Sequence, residues 1–535
     1  MKKTILFLFI LWSLAGFGQI QEAWVYFNDK PQAAYYLSNP LEMLSQRALD
    51  RRAAQNIALD FTDVPVHQAY IDQIIAAELV EVKATSKWMN ALHIRGTEAN
   101  ISLLLNLSFV ESVYFADKTL NIQATSQATS SYPIQQKQLD TSEVYAYGNS
   151  DNQIQLHNGQ FLHQEGFTGE GKIIAVIDNG FIGVDTALPF QRLHTQHLIL
   201  GGYDFVNRNQ NFYTGGNHGT RVLSTIGAFQ EDELIGTAPN AQYYLFITED
   251  NSSETPLEES LWVEAAELAD SLGVDVINTS LGYSSFDNSN YNYTYADMDG
   301  VTTFAARGAN HAFSKGMICV TAAGNSGSTP WQYITTPADA IGSFTVGAVN
   351  ASGTYASFSS IGPSADNRVK PDVVAQGVAT VNALQDGTIN TANGTSFSSP
   401  VMAGLVTCLW QAFPELTAVE LTQFIREASH LFQNPTPELG YGIPDFQQAY
   451  QTLSTDKFVE SEFKIYPNPT SGSIHFYGTF TQATQLKLYD VSGKHILATH
   501  LQNNSSIDIQ HLDQGVYIYQ IITGNSIKTG KILKK

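Results

Sequence analysis

The sequence predicts a doubly wound α/β domain on a parallel sheet, preceded by a small α+β unit and followed by a small antiparallel β-sandwich. Three observations predict it. Between about 153 and 455 the runs KIIAVID, AQYYLFIT, DVINTS, GMICVTAA and SFTVGAV are apolar from end to end. That is the signature of strands buried on both faces of a parallel sheet. Helical stretches such as LEESLWVEAAELADSLG, and the long segment after Pro400, alternate with them. After about 460 the texture changes, and GSIHFYG, QLKLYDVSGK and GVYIYQII alternate apolar and polar residues between Gly and Asn turns.

At the start of the chain, MKK precedes TILFLFILWSLAGFG, with Gly16 and Gly18 as small residues before a cut after Gly18. A basic start, a short apolar stretch and small residues at the cut define a signal peptide over 1–18. No other stretch approaches the roughly 20 apolar residues of a spanning helix. No acyl-carrying cysteine follows, which disfavours a lipoprotein. Residues 19–117 mix strand-like runs (AWVYF, NALHIRG, VESVYFA) with helix-like ones (LEMLSQRALDRRAAQN, VHQAYIDQIIAAEL). Residues 118–152, rich in Gln, Ser, Thr and Asn, read as an exposed linker. The α/β region follows over 153–455, and the sandwich over 456–535.

Composition sets limits. A chain of 535 residues is too long for one core, and 15% charged against 43% hydrophobic residues describes a globular protein. A net charge of −22 argues against nucleic acid as a partner, because phosphate binding needs clustered Lys and Arg. The two cysteines, Cys319 and Cys408, lie in apolar runs and read as separate buried thiols more readily than as a disulfide. They cannot build a zinc site.

In a doubly wound sheet the active site lies at the carboxyl ends of the strands. There the sequence offers Asp178 (AVIDNG), His218 (NHGT), Asn325 (TAAGNSG) and Ser396 (NGTSFSSP). Each has an ordinary reading. An Asp can end a strand as a turn or cap, a His can sit in a surface turn, and TSFSSP can cap a helix with Pro400 in its first turn. The α/β-hydrolase Gly-x-Ser-x-Gly elbow fits neither Ser396 nor Ser326.

Taken in chain order, AVIDNG, NHGT, INTSLGY, TAAGNSG and NGTSFSSP closely resemble the motifs of subtilisin-like serine proteases, with IGTAPNA and GYGIPDFQQAY as secondary matches over about 165–450. The resemblance implies a secreted serine endopeptidase needing no cofactor for catalysis. Ser396 would be its nucleophile, His218 the general base, Asp178 the orienting carboxylate and Asn325 the oxyanion-hole donor. Phe397, Ser398 and Gln376 depart from the usual Met, Ala and Pro. None of these removes a reacting group.

The same resemblance implies a pocket for the side chain before the scissile bond. Ser280, Leu281 and Gly282 would form one wall, Ala323 and Gly324 the other, and Thr335 the base, favouring a medium apolar side chain. Structural calcium is common in the family, but the spacing of Asp287, Asp297 and Asp299 assigns no ligand. The segment 284–313 reads equally as a loop near the cleft or a surface ornament.

KWMNALHIRG and LLLNLSFVESVYFADK resemble the family's propeptide, implying an intramolecular inhibitor and folding aid removed by cleavage in the linker. YPNPTSG, YDVSGK and GVYIYQI resemble the C-terminal sorting domain of the type IX secretion system. That implies export through periplasm and outer membrane, to the medium or the cell surface, with the secretion machinery as a partner alongside protein and peptide substrates. Two rival readings are a non-catalytic binding protein on the same scaffold and a narrow processing protease. An intact set of reacting residues disfavours the first, and digestion of casein against short peptides separates the second.

Overall fold

The computed structural model describes residues 19–121, 145–460, 464–477, 484–490, 494–502, 505–523 and 526–535. The signal peptide over 1–18 and most of the linker, 122–144, lie outside the described residues. The chain divides into two compact units after Gln447.

The first unit opens with a four-stranded antiparallel sheet of β1 (Ile20–Phe27), β2 (Glu81–Ser86), β3 (Ala91–Thr97) and β4 (Val110–Phe115), in the order β2-β3-β1-β4. Helices α1 (Gln46–Ala54) and α2 (Gln68–Ala76) accompany it. One face buries Val25, Phe27, Ile74, Leu92, Ile94 and Ile101 in a core of its own. The other face carries Trp24, Ala84 and Trp88 into the main core.

That main core belongs to a seven-stranded parallel sheet, in spatial order β11-β10-β9-β8-β5-β7-β6. Its strands are β5 (Ile173–Asp178), β6 (Ile199–Asp204), β7 (Gln242–Ile247), β8 (Val276–Thr279), β9 (Ile318–Ala322), β10 (Ser343–Val349) and β11 (Val373–Gln376). All five apolar runs read from the sequence are strands here. Between them run α3 (His218–Gly227), α4 (Leu257–Leu272), α5 (Phe304–Ser314) and α6 (Thr395–Ala412). Helix α4 is rich in Leu, Ala and Glu, which favour helix, starts with Glu258 and Glu259 in its first turn, and stops at Gly273 in the left-handed conformation.

Helix α6 is buried along nearly its whole length, and Pro400 lies inside it. The expectation of Pro400 in the first turn is therefore corrected, because the helix begins at Thr395. An interior proline removes the bond to the carbonyl four residues back, here that of Ser396. The Ser280 hydroxyl replaces it, donating to the Ser396 carbonyl at 2.9 Å.

The four-stranded sheet docks on α4 and α5. The Trp24 ring stacks on Phe304 at 5.1 Å, and its indole N–H donates to Ser260 Oγ at 2.8 Å. Glu267 accepts from the backbone N–H groups of Lys87 and Trp88 at 2.9 Å each and from Ser86 Oγ at 2.6 Å. Asp270 pairs with Arg51 at 2.5 Å and Arg52 at 2.7 Å, and Asp63 holds Arg52 from the other side at 2.8 Å.

The second unit holds two antiparallel sheets, one of strands Lys464–Tyr466, Ser473–Tyr477 and Ser505–Asp508, the other of Thr484–Asp490, His495–Leu501, Gly515–Thr523 and Ser526–Lys534. Ile474, Phe476, Leu486, Leu488, Tyr517 and Ile532 form their common core, as the period-two pattern predicts. Among the described residues no helix is long and apolar enough to cross a membrane.

Candidate active site

Asp178 is the last residue of β5 and fully buried. Its Oδ1 accepts the Asn179 N–H at 2.8 Å and meets His218 Nδ1 at 2.7 Å, while Oδ2 has no hydrogen-bond partner. A buried carboxylate so placed requires the proton on Nδ1, which leaves Nε2 free as the basic nitrogen. Burial of the imidazole lowers its pKa, but the Asp178 charge and hydrogen bond outweigh that, and the net shift is upward from 6.5.

Gly394 precedes α6 with φ +148°, a conformation that L side chains rarely adopt, and so brings the chain into the helix at a sharp angle. Ser396 follows in the first turn, where backbone N–H groups have no intrahelical partner. Its hydroxyl donates to the Ser280 carbonyl at 3.2 Å rather than to His218. Serines 280 and 396 thus exchange two bonds, each hydroxyl reaching the other's carbonyl. Phe397 brings its ring to 5.9 Å from that of His218 and lies under the Arg221 guanidinium at 5.4 Å.

Asn325 lies just beyond the end of β9. Its Oδ1 accepts from the Thr395 N–H at 2.9 Å and from Thr395 Oγ1 at 3.1 Å. Both partners are donors to one oxygen, so the amide orientation is fixed and Nδ2 remains as a free donor beside the start of α6.

A cleft of about 570 Å³ opens beside His218. Ser280, Leu281 and Gly282 line it, whereas Ala323, Gly324 and Thr335 do not. Glu249, Asp250, Glu254, Glu258 and Asp287 give it an acidic wall, interspersed with Asn179, Asn251, Ser252 and Ser253. Burial pushes Glu249 and Glu258 up, and their mutual repulsion with Glu254 adds to it. Sequence reading missed this wall. Its signal was ITEDNSSETPLEE, an acidic run directly after an apolar strand.

The three calcium candidates do not converge. Asp297 is taken by Lys118 at 2.7 Å, Asp299 by the N–H groups of Val301 and Thr302, and Asp287 by the Glu254 N–H. Among the described residues no group of three or more His, Cys, Asp or Glu side chains could hold a metal ion. Cys319 and Cys408 are separate, buried free thiols, and burial pushes Cys319 up to about 12.

Comparison with known proteins assigns the class. Residues 169–450 match the subtilase family, 22–132 the peptidase S8 propeptide domain of Bacteroidota, and 464–535 the secretion system C-terminal sorting domain. Subtilisin NAT of Bacillus subtilis subsp. natto is 31% identical over 293 residues, covering 54% of this chain and 68% of the relative. Subtilisin DY of Bacillus licheniformis is 31% identical over 271 residues, covering 50% of this chain and 87% of that one. A solved structure, the MycP3 protease from the type VII (ESX-3) secretion system, matches at 19% identity and a TM-score of 0.45, over 59% of this chain and 94% of its own. The chain belongs to the subtilase family. It is a serine endopeptidase with a propeptide, and its C-terminal domain marks it for export, to the medium or the cell surface.

Proposed function

We propose that Asp178, His218 and Ser396 form the catalytic triad and that the precursor is held inactive by its own N-terminal domain. The observation that carries this reading is the 2.7 Å bond between buried Asp178 and His218 Nδ1, in a site that also holds Ser396 at a helix N-terminus and an oriented Asn325. The Ser396 hydroxyl turns from the Ser280 carbonyl to His218 Nε2, which takes its proton as Oγ attacks the scissile carbonyl carbon. Asp178 keeps the imidazole in its tautomer and stabilises the imidazolium. The carbonyl oxygen becomes an oxyanion, bound by Asn325 Nδ2 and the Ser396 N–H, with the positive end of α6 adding to both. Collapse of the tetrahedral species breaks the C–N bond, and the leaving amine takes the proton from Nε2. Water then repeats the cycle in reverse order of partners and frees the acyl group from Ser396.

The domain of residues 19–117 is the inhibitor and folding aid, 118–152 the linker carrying the processing site, 153–455 the protease, and 456–535 the domain read by type IX machinery. No metal enters the chemistry in this reading. Family membership and the buried polar contacts between β2, α1 and α4 support the inhibitory role.

The test is to treat purified precursor with a fluorophosphonate probe and take intact masses, beside a Ser396→Ala control. Labelling and loss of the N-terminal domain in the wild type alone are expected. A precursor that stays unlabelled after a second protease has removed that domain would refute the triad.

A further inference from the structure

We propose that Arg221 is a positioning residue for the reaction. Its guanidinium, held in place by the Phe397 ring, opposes the charging of His218. The enzyme therefore stays active at lower pH than Asp178 alone would allow. This deepens the function proposed above and rests on it.

Arg221 follows His218 by three residues on α3, which puts both side chains on one face of the helix. Two contacts fix where its charge sits. Its Nε donates to Asn382 Oδ1 at 2.9 Å, and its guanidinium carbon lies 5.4 Å from the Phe397 ring centroid. Asn382 is fully buried and donates from Nδ2 to the Thr380 carbonyl at 2.8 Å, so its amide orientation is set. The strand that carries it, Thr380–Ala383, also grips α3, because the Ala383 N–H donates to Ser224 Oγ at 2.8 Å. A cation within about 6 Å of an aromatic ring is attracted to its face. Phe397 stands where the family's usual residue is Met, and the aromatic ring is what offers that face.

Phe397 is buried, and its ring centroid lies 5.9 Å from that of His218. Guanidinium and imidazole thus share one ring as a neighbour, and at most about 11 Å separates them. Burial of the imidazole disfavours its charged form, and three charged or titratable groups then face it. Asp178, at the end of β5, favours the imidazolium, Arg221 on α3 disfavours it, and Glu249, following β7, favours it when ionised. Burial pushes Glu249 up to about 8, so it is mostly uncharged over the acid limb. Arg221 is then the charge that works against Asp178, and arginine stays charged throughout this range. At about 11 Å a unit charge moves a titration by roughly 0.3 to 1 pH unit, between the dielectric of water and that of a protein surface. A positive neighbour moves it down, and the neutral base persists to lower pH.

The test uses the self-processed enzyme, with active sites counted by the fluorophosphonate probe. The pH profile of kcat/KM is taken on one peptide anilide. Arg221→Gln keeps a donor for Asn382 and loses the charge, and should move the acid limb up by roughly 0.3 to 1 pH unit. Arg221→Lys keeps the charge and should move the limb by less than half as much. Phe397→Leu removes the aromatic face and frees the guanidinium, and should also move the limb up. In the wild type, raising salt from about 0.05 to about 1 M screens the partly exposed Arg221 more than buried Asp178, with the same result. A merely structural role would lower kcat without moving the limb. A limb that stays in place in Arg221→Gln, or moves equally far in Arg221→Lys, overturns the inference and leaves the triad standing. Should the variants fail to fold, a wild-type limb unmoved by salt overturns it instead. Absence of probe labelling in the wild type refutes the function itself, and this inference with it.

Discussion

Asp270→Ala, introduced into the Ser396→Ala precursor, should loosen the N-terminal domain from the protease without unfolding either. Asp270 is fully buried on α4, and its two oxygens hold the guanidinium groups of Arg51 and Arg52, which are 5% and 2% exposed. Removing one partner of a buried ion pair costs about 3–5 kcal/mol, mostly because the remaining charge is stranded in a poor solvent. Arg52 keeps Asp63 at 2.8 Å and Lys87 reaches Asp270 only at 4.0 Å, so Arg51 bears most of the loss, and the lower end applies. With 1.4 kcal/mol per factor of ten, about 3 kcal/mol makes local opening roughly a hundredfold more frequent. Hydrogen exchange of the peptide covering Gln46–Ala54 measures this directly. The reasoning is refuted if exchange there rises less than threefold. Equal acceleration in β5 and β8 would also refute it, since the effect would then be global.

The pH profile of kcat/KM should have an acid limb centred above 6.5. His218 must be neutral to accept a proton, its pKa is raised, and activity is therefore lost as pH falls through that raised value. Asp178→Asn should move the limb down and lower kcat by about 10⁴-fold, and an unshifted limb would remove Asp178 from its role. Asn325→Ala should cut kcat by about 10²–10³-fold with little change in KM, read from initial rates on one anilide substrate. A proportionate rise in KM would instead mean that Asn325 binds ground-state substrate. Ser280→Ala leaves the Ser396 carbonyl without the donor that compensates for Pro400, costing about 1–3 kcal/mol in guanidinium unfolding of the Ser396→Ala precursor. A loss below about 0.5 kcal/mol would mean that another donor takes its place.

The sequence by itself determined the class of fold and named the residues proposed above to carry the chemistry. KIIAVID or SFTVGAV buries both faces wherever it is placed, so a continuous apolar run reads as an inner parallel strand. Asp178, His218, Asn325 and Ser396 each sit in a short motif whose glycines and turns are local features. Strands β6 and β11 escaped because ILGGYD is half-exposed at the sheet edge and VVAQ is too short to show a period. Only the tertiary structure decided what crosses long stretches of chain. Ser280 lies 116 residues from the carbonyl it serves, which is why α6 can start before a proline that should have marked its first turn. The Thr335 hydroxyl lies against both Gly282 and Gly324 only because two separate strand ends close around it. The acidic wall beside His218, and the docking of Arg51 and Arg52 on Asp270, likewise join charges that no local pattern relates. Periodicity reports how deeply each residue is buried, but which partner it meets there is set by the folding of the whole chain.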